Sequence, residues 1–351
     1  MKEIFVKAKP YVIVLAAVLV ITGLWLFICL RPISGDASSV RVVVLKGYTA
    51  RDIGKSLDEQ GLIRSPFVFV LACKAGGATE KLKPGVYELS RAMSMPQMID
   101  HLVNGRTLES WVTIPEGFTT RQIADLLQSK QLTAGDAFLG LAFTAGSEFP
   151  EYSFIYGSSL EGYLFPDTYL IARGTDAQGI ARKMLDAFGR KVIEPNRAEI
   201  EQTISDRFGL GKQSFAKGLN KLLILASMIE REAKVPGDRP LISAVLWNRL
   251  SKGMRLEVDA TVTYMPGEST DNKDKIYYGD LHKDSPYNTY THAGLPAGPI
   301  CNPGLASIKA AMHPADVDYL YYVARPDGSH HFSRTFQEHI AAKNSIKNGG
   351  R

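Results

Sequence analysis

A chain of 351 residues has room for about two or three domains, and its 45% apolar and 22% charged content supports a buried core and excludes wholesale disorder. The net charge of +5 is scattered along the chain rather than gathered in a stripe, which excludes a nucleic-acid footprint. The first element is YVIVLAAVLVITGLWLFICL, Tyr11 to Leu30, a run of twenty residues without a charge. As a helix it is long enough to cross a hydrocarbon core. Lys2, Lys7 and Lys9 precede it, so the positive-inside rule keeps residues 1–10 in the cytoplasm and places everything after Leu30 outside. A cleaved signal peptide is the competing reading, but its apolar region is usually shorter and no clear A-x-A site follows. The expectation is a single-pass anchor in the inner (cytoplasmic) membrane. Cys29, Cys73 and Cys301 lack metal-type spacing and read as buried free thiols.

Residues 31–39 read as a short polar tether. An internal repeat follows. VVLKGYTARDIGKSLDEQGL from Val43 matches TIPEGFTTRQIADLLQSKQL from Thr113 at a constant offset of 70. Each copy predicts a short strand, a glycine turn and a helix capped by Thr49 or Thr119, with Ile53 and Leu57, or Ile123 and Leu127, as its apolar stripe. A second helix from Pro66, a strand at Gly85–Leu89 and a helix from Pro96 complete a small α+β module over 40–110. Its length and βααβ order resemble a LysM-type module, a fold associated with N-acetylglucosamine polymers. A spacer that holds the next domain off the membrane is the other reading.

From Phe138 to Lys217 the pattern is mostly helical, interrupted by LEGYLFPDTYLI. Tyr163, Phe165 and Tyr169 in that stretch read as core, with a sugar platform as the alternative. The last region holds a long loop, PYNTYTHAGLPAGPICNPGLAS, that runs into a helix near Leu305. Long ordered loops are usually functional. The fold class is α+β throughout: a transmembrane helix, a LysM-like module, then a mixed α+β domain over 111–345.

The chemistry centres on ASMIEREAKVPGD, Ala226 to Asp238. A helix over Leu222–Lys234 turns Leu222, Leu225, Ala226 and Ile229 to a core and leaves Glu230 and Glu232 on opposite flanks. Glu230 has Lys234 at i+4, the order of a surface ion pair. Glu232 has Met228, Ile229, Val235 and Pro236 at helical spacing and no cation there. A carboxyl group in apolar surroundings holds its proton nearer neutrality, as a general acid requires. A solvated helix-end glutamate is the bland reading.

Glycoside cleavage ordinarily uses two carboxylates. Glu161, Asp167, Glu257 and Asp259 are candidates for a second, and spacing singles out none of them. One glutamate suffices if the substrate carries its own nucleophile, as muramic acid does in its C6 hydroxyl. Six of the seven histidines lie in the last quarter, but no regular ligand spacing appears, so no metal and no cofactor are expected.

ASMIEREA, NRL (Asn248–Leu250), GMRLEVDATVTY (Gly253–Tyr264), YNTYTHAGLPAGPICNPGLASIKAAMHP (Tyr287–Pro314), YLYYVA (Tyr319–Ala324) and EGYLFPDTY together resemble the endolytic murein transglycosylase family, also described as YceG-like. The resemblance covers nearly the whole chain past the anchor. It implies a lytic transglycosylase that cuts nascent peptidoglycan strands between N-acetylmuramic acid and N-acetylglucosamine. The cut leaves 1,6-anhydro-N-acetylmuramic acid ends and terminates elongation near the peptidoglycan synthases. The family's essential glutamate is the second of an E-[KR]-E pair, which lands on Glu232. Glu161, Asn248, Asp259, Thr261, Tyr264, Tyr287, Asn288, Thr289 and Tyr290 match motif positions that line a cleft or hold it in shape. REA stands where KET is frequent, and Cys301 stands where a small residue is usual. A non-catalytic envelope protein that binds glycan or acts as a scaffold is the alternative of a different class.

Overall fold

The computed structural model describes residues 2–105, 109–144, 148–172, 175–266 and 279–349, with side chains from residue 15 onward. It divides into two compact units, Met1–Val112 with Tyr169–Arg173, and Thr113–Thr168 with Gly174–Arg351.

In the first unit, α1 (Lys2–Leu30) is one continuous helix. Leu19, Ile21, Leu24 and Phe27 are each more than half exposed and point to different sides of it. Over the described residues, no helix is long and apolar enough to cross a membrane; of α1, the described side chains are residues 15–30. The last turn of α1 enters the unit's core through Cys29, with Leu26 and Leu30 packed beside it. The stretch that reads as a tether is pinned. The Arg64 guanidinium donates to the carbonyls of Arg31 and Pro32 at 2.8 Å and of Ile28 and Ile33 at 3.2 Å. The N–H groups of Ile33 and Ser34 both donate to the Arg91 carbonyl. A cation is well placed there, because the C-terminal carbonyls of a helix carry partial negative charge.

Beyond it run β1 (Ser39–Val44), α2 (Ala50–Glu59), α3 (Pro66–Ala75), β2 (Gly85–Ser90), α4 (Met95–Asn104) and β3 (Glu109–Thr113). β1 and β2 pair antiparallel, Ser39 opposite Ser90 and Val44 opposite Gly85. The sheet order is β1-β2-β3-β4, with β4 (Thr168–Ala172) supplied by the segment after EGYLFP. Val42, Ile53, Leu57, Phe69, Tyr87 and Met98 form the centre of the core.

The second unit holds α5 (Thr120–Ser129), α6 (Gly135–Phe143) and α7 (Ala177–Phe188), which runs through a π-turn at Gly189–Ile193 into α8 (Glu194–Phe208). Then come α9 (Phe215–Glu232), α10 (Arg239–Ser251), α11 (Asp259–Thr263), α12 (Leu305–Met312), the hairpin β5 (Tyr321–Ala324) and β6 (His330–Ser333), and α13 (Phe336–Lys347). α9 packs against α8, α10 and α12, and every residue from Leu222 to Ile229 is buried. It is buried on all sides rather than on one stripe, and it ends at Glu232 instead of Lys234.

The two repeat copies fall in different units and share their local geometry. Thr49 and Thr119 each accept from the backbone N–H three residues on, and Asp52 or Gln122 reaches back to close a capping box. Gly47 and Gly117 take φ of 94° and 79°, the left-handed region that a side chain resists. Leu62 and Leu132 close the far end, their N–H groups donating to the carbonyls of Leu57 and Leu127.

Candidate active site

Glu232 is placed by the way its helix stops. Ala233 leaves helical geometry at φ −78°, ψ 106°, and a short 3-10 turn, Pro236–Asp238, sends the chain into α10. The Glu232 side chain is left partly open at the edge of a cleft of about 310 Å³. Asp259, Tyr290, Tyr322, Arg249, Glu257 and His330 line the same cleft. The Tyr322 hydroxyl donates to Glu232 Oε2 at 3.2 Å. The N–H of Ala260, in the first turn of α11, donates to the same carboxyl group.

Burial pushes the Glu232 carboxyl up to about 7 from its ordinary 4.5, and the negative charge of Asp259 adds to the shift. The hydrogen bonds from Tyr322 and Ala260 and the charge of Arg231 oppose it. The outcome is a group that is protonated in part at neutral pH and has two donors ready for its carboxylate form. Such a group can give a proton and take one back. Asp259 is itself held, its Oδ1 accepting from the Tyr290 hydroxyl at 2.6 Å. Burial and the bond to Glu232 raise the Tyr322 hydroxyl well above its usual range, so it stays a donor.

Arg249 holds the rim in place. It is 6% exposed, and its Nη1 donates to the carbonyls of Arg255 and Leu256 and to Glu257 Oε2 at 2.8 Å, while its Nε donates to the Leu320 carbonyl at 2.7 Å. One guanidinium thus ties α10 to the segment leading into α11 and to β5. Glu257 takes φ 53°, a left-handed conformation that a non-glycine residue adopts only when its surroundings demand it.

The other expected site residues divide clearly. Asp259 and Tyr290 line the cleft with Glu232. Asn248 lies on α10 and donates to the carbonyls of Val317 and Tyr319, which makes it a staple between segments. Thr261 and Thr289 are buried and share a 2.9 Å hydroxyl contact. Asn288 donates to the carbonyls of Leu281 and Lys283 and shapes its own loop. Glu161 is buried apart from the cleft's lining. It accepts from the Thr120 N–H, from Asn302 Nδ2 at 2.9 Å and from the Tyr264 hydroxyl at 2.9 Å. Burial pushes it up to about 7. Tyr264 stacks edge-on against Tyr287, so these two belong to the Glu161 hub. Asp167 pairs with Lys191 at 2.5 Å. Tyr163 and Phe165 are core, and so is Tyr169 in the first unit. Tyr322, Arg249 and His330 are among the cleft residues that had no role from sequence. Tyr322 and Arg249 lie inside quoted motifs, but spacing along the chain does not say which side chain of a motif faces a cleft.

Glu230 differs from its sequence reading. Its side chain is 7% exposed, pairs with Arg239 at 3.5 Å and accepts from the Gly304 N–H at 2.9 Å. The i+4 pair with Lys234 does not form, because burial of α9 on all sides turns this flank toward α10 and the N-terminus of α12. Glu116 lies against the same group, its carboxyl raised by burial and by the Glu230 charge and lowered by Arg239. Among the described residues, no group of three His, Cys, Asp or Glu is placed to hold a metal ion.

The arrangement sets one perturbed carboxyl group on a cleft, with the charge of a second beside it. A family model described as the YceG-like family matches residues 42–345, and the chain belongs to that family. It is 32% identical to a Bacillus subtilis (strain 168) protein named endolytic murein transglycosylase, over 93% of this chain and 90% of that one. It is 29% identical to a protein of the same name from Streptococcus pneumoniae (serotype 2, strain D39), and it spans 59% of that relative's length. A crystal structure of a yceG-like protein from Listeria monocytogenes matches with a TM-score of 0.60 at 35% identity, covering 86% of this chain and 98% of that one.

Proposed function

We propose that the chain is an endolytic peptidoglycan lytic transglycosylase, with Glu232 as its acid and base. The observation that carries this reading is a carboxyl group raised to about 7 at the edge of an open cleft, with hydrogen-bond donors in place for its ionised form. Protonated Glu232 delivers its proton to the glycosidic oxygen as the bond from C1 of N-acetylmuramic acid breaks. The C6 hydroxyl oxygen of the same sugar bonds to C1, and its proton passes to the Glu232 carboxylate. The acid is restored, the product end is a 1,6-anhydro sugar, and no water is consumed. Names of relatives that span most of the chain support this chemistry. Mass spectrometry of products from purified glycan strands should find 1,6-anhydro-N-acetylmuramic acid ends. Reducing-end muramic acid as the main product would overturn it in favour of hydrolysis, a second reading that Asp259 beside Glu232 makes chemically available.

Asp259 acts in this reading through its charge. Asp259→Asn keeps an oxygen for the Tyr290 hydroxyl and removes the negative charge that helps raise Glu232. The basic limb of kcat/KM against pH should therefore move to lower pH. A limb that stays in place or moves up would show that Asp259 does not tune the acid.

The same proposal places α1 in the inner membrane, with the chain beyond it outside and near the synthases that extend the strands. Apolar exposure on several sides of α1 between Leu15 and Ile28 supports this, since such a surface is unfavourable in water and favourable in lipid. Protease added to spheroplasts should digest the bulk of the chain, and complete protection would count against the topology. The order β1–α2–α3–β2 supports a LysM-like module over 40–110 ahead of a catalytic domain over 111–345.

A further inference from the structure

His330 has no place in the chemistry above, yet it is built into the cleft. It opens β6, and its backbone N–H and its Nδ1 both meet Asp238 Oδ2, at 2.8 and 2.9 Å. A carboxylate oxygen can only accept, so Nδ1 carries the hydrogen, and whenever the ring is neutral its Nε2 presents a bare lone pair. Among the described residues no group bonds Nε2, and the ring lines the same cleft as Glu232. The ring also stands edge-on to Tyr322, centroids 5.3 Å apart at 89°, and the hydroxyl of that tyrosine holds Glu232. Asp238, which orients the imidazole, ends the short turn that follows Glu232. One turn of chain therefore fixes both the acid and the histidine.

We propose that His330 is a substrate-binding residue whose Nε2 accepts a hydrogen bond from an O–H or N–H of the saccharide in the cleft. This rests on the reading that the substrate is an amino-sugar polymer, whose hydroxyl and acetamido groups offer such donors. An acceptor with a fixed tautomer on the wall of a cleft favours a ligand that can donate and leaves a loss when the donor is missing. If Asp238 and His330 only pinned the hairpin, Nε2 would be unused, and neither its removal nor added strands would register there.

The test uses the full chain in detergent micelles, with Glu232→Gln as the parent so that purified glycan strands bind uncut. His330→Asn keeps a donor for Asp238 but withdraws the acceptor at Nε2, and should weaken binding about three- to tenfold. His330→Gln carries its amide oxygen toward the Nε2 position and should recover part of that loss. Nitrogen-15 NMR of labelled histidine should show the Nδ1–H tautomer, with the Nε2 resonance moving when strands are added. Asp238→Asn releases the tautomer and should weaken binding although the imidazole stays. Unchanged affinity in His330→Asn, or an Nε2–H tautomer in the parent, would overturn the inference. Cleavage by the unaltered chain is read separately. Strands that bind through His330 but are never cut would sink the proposed reaction and leave this inference standing.

Discussion

Glu232→Gln should fold normally and lose turnover by at least about 10²–10⁴, the range for loss of general acid catalysis alone. The upper end or worse is expected, because the same group also recovers the proton of the C6 hydroxyl. The variant should also be more stable than its parent at pH 8. With a folded-state value near 7 against an ordinary 4.5, the carboxyl group ionises in the unfolded chain first as pH rises. Native stability therefore falls between about pH 4.5 and 7, by roughly 1–3 kcal/mol. A glutamine has no such term. Melting curves of the two proteins should agree in this respect below pH 4.5 and separate above it in favour of the variant. Glu161 is raised in the same way but is present in both proteins, so it cancels. Wild-type turnover in the variant would remove Glu232 from the chemistry. A variant less stable at pH 8 would mean that its environment does not disfavour the charge.

The second large effect is on folding. Arg239→Met should destabilise the second unit by about 3–5 kcal/mol at pH 8, the usual cost of breaking a buried ion pair from one side. Arg239 is the cation that Glu230 pairs with, and it also lowers Glu116, and its Nε donates to Ser307. Without it two carboxylates crowd the Gly304 N–H. Gly304 has no Cβ for good reason, since the Glu116 carboxyl group occupies that space. Loss of the cation removes what lowers Glu116, so its folded-state value rises further, and the deficit should be larger at pH 8 and smaller near pH 5, where that acid can protonate. Urea unfolding at the two pH values measures this. An equal deficit at both would mean that the effect is packing alone.

The contrast between the two glutamates shows what the linear chain can and cannot display. Glu232 was legible because its apolar neighbours are helical neighbours: Met228 and Ile229 lie on its own helix, and Pro236 follows at the stop. The partners of Glu230 are not. Arg239 comes from the next helix and Gly304 from some seventy residues on, so the visible Lys234 at i+4 was the wrong cation. The repeat was legible for the same local reason, since the glycine turn, the threonine cap and the Ile–Leu stripe all act within a few residues. Asp259, one of four equivalent acids in the sequence, gains its hold on Glu232 only when the start of α11 is brought beside the end of α9. The loop threonines and Asn288 match cleft motifs, yet they hold the loop's shape, because a motif fixes a segment and not the direction of each side chain.

Arg64 carries a consequence for reach. Its guanidinium gathers four carbonyls at the end of α1 and in the residues just after, so the link between helix and module has little slack. With α1 in a bilayer as proposed, the first module would stand like a mast stepped into a deck rather than swing like a buoy on a line. A buoy samples a hemisphere of polymer; a mast samples one altitude. A fixed altitude would hold that module at one distance from the bilayer, so that what it meets is chosen by height alone.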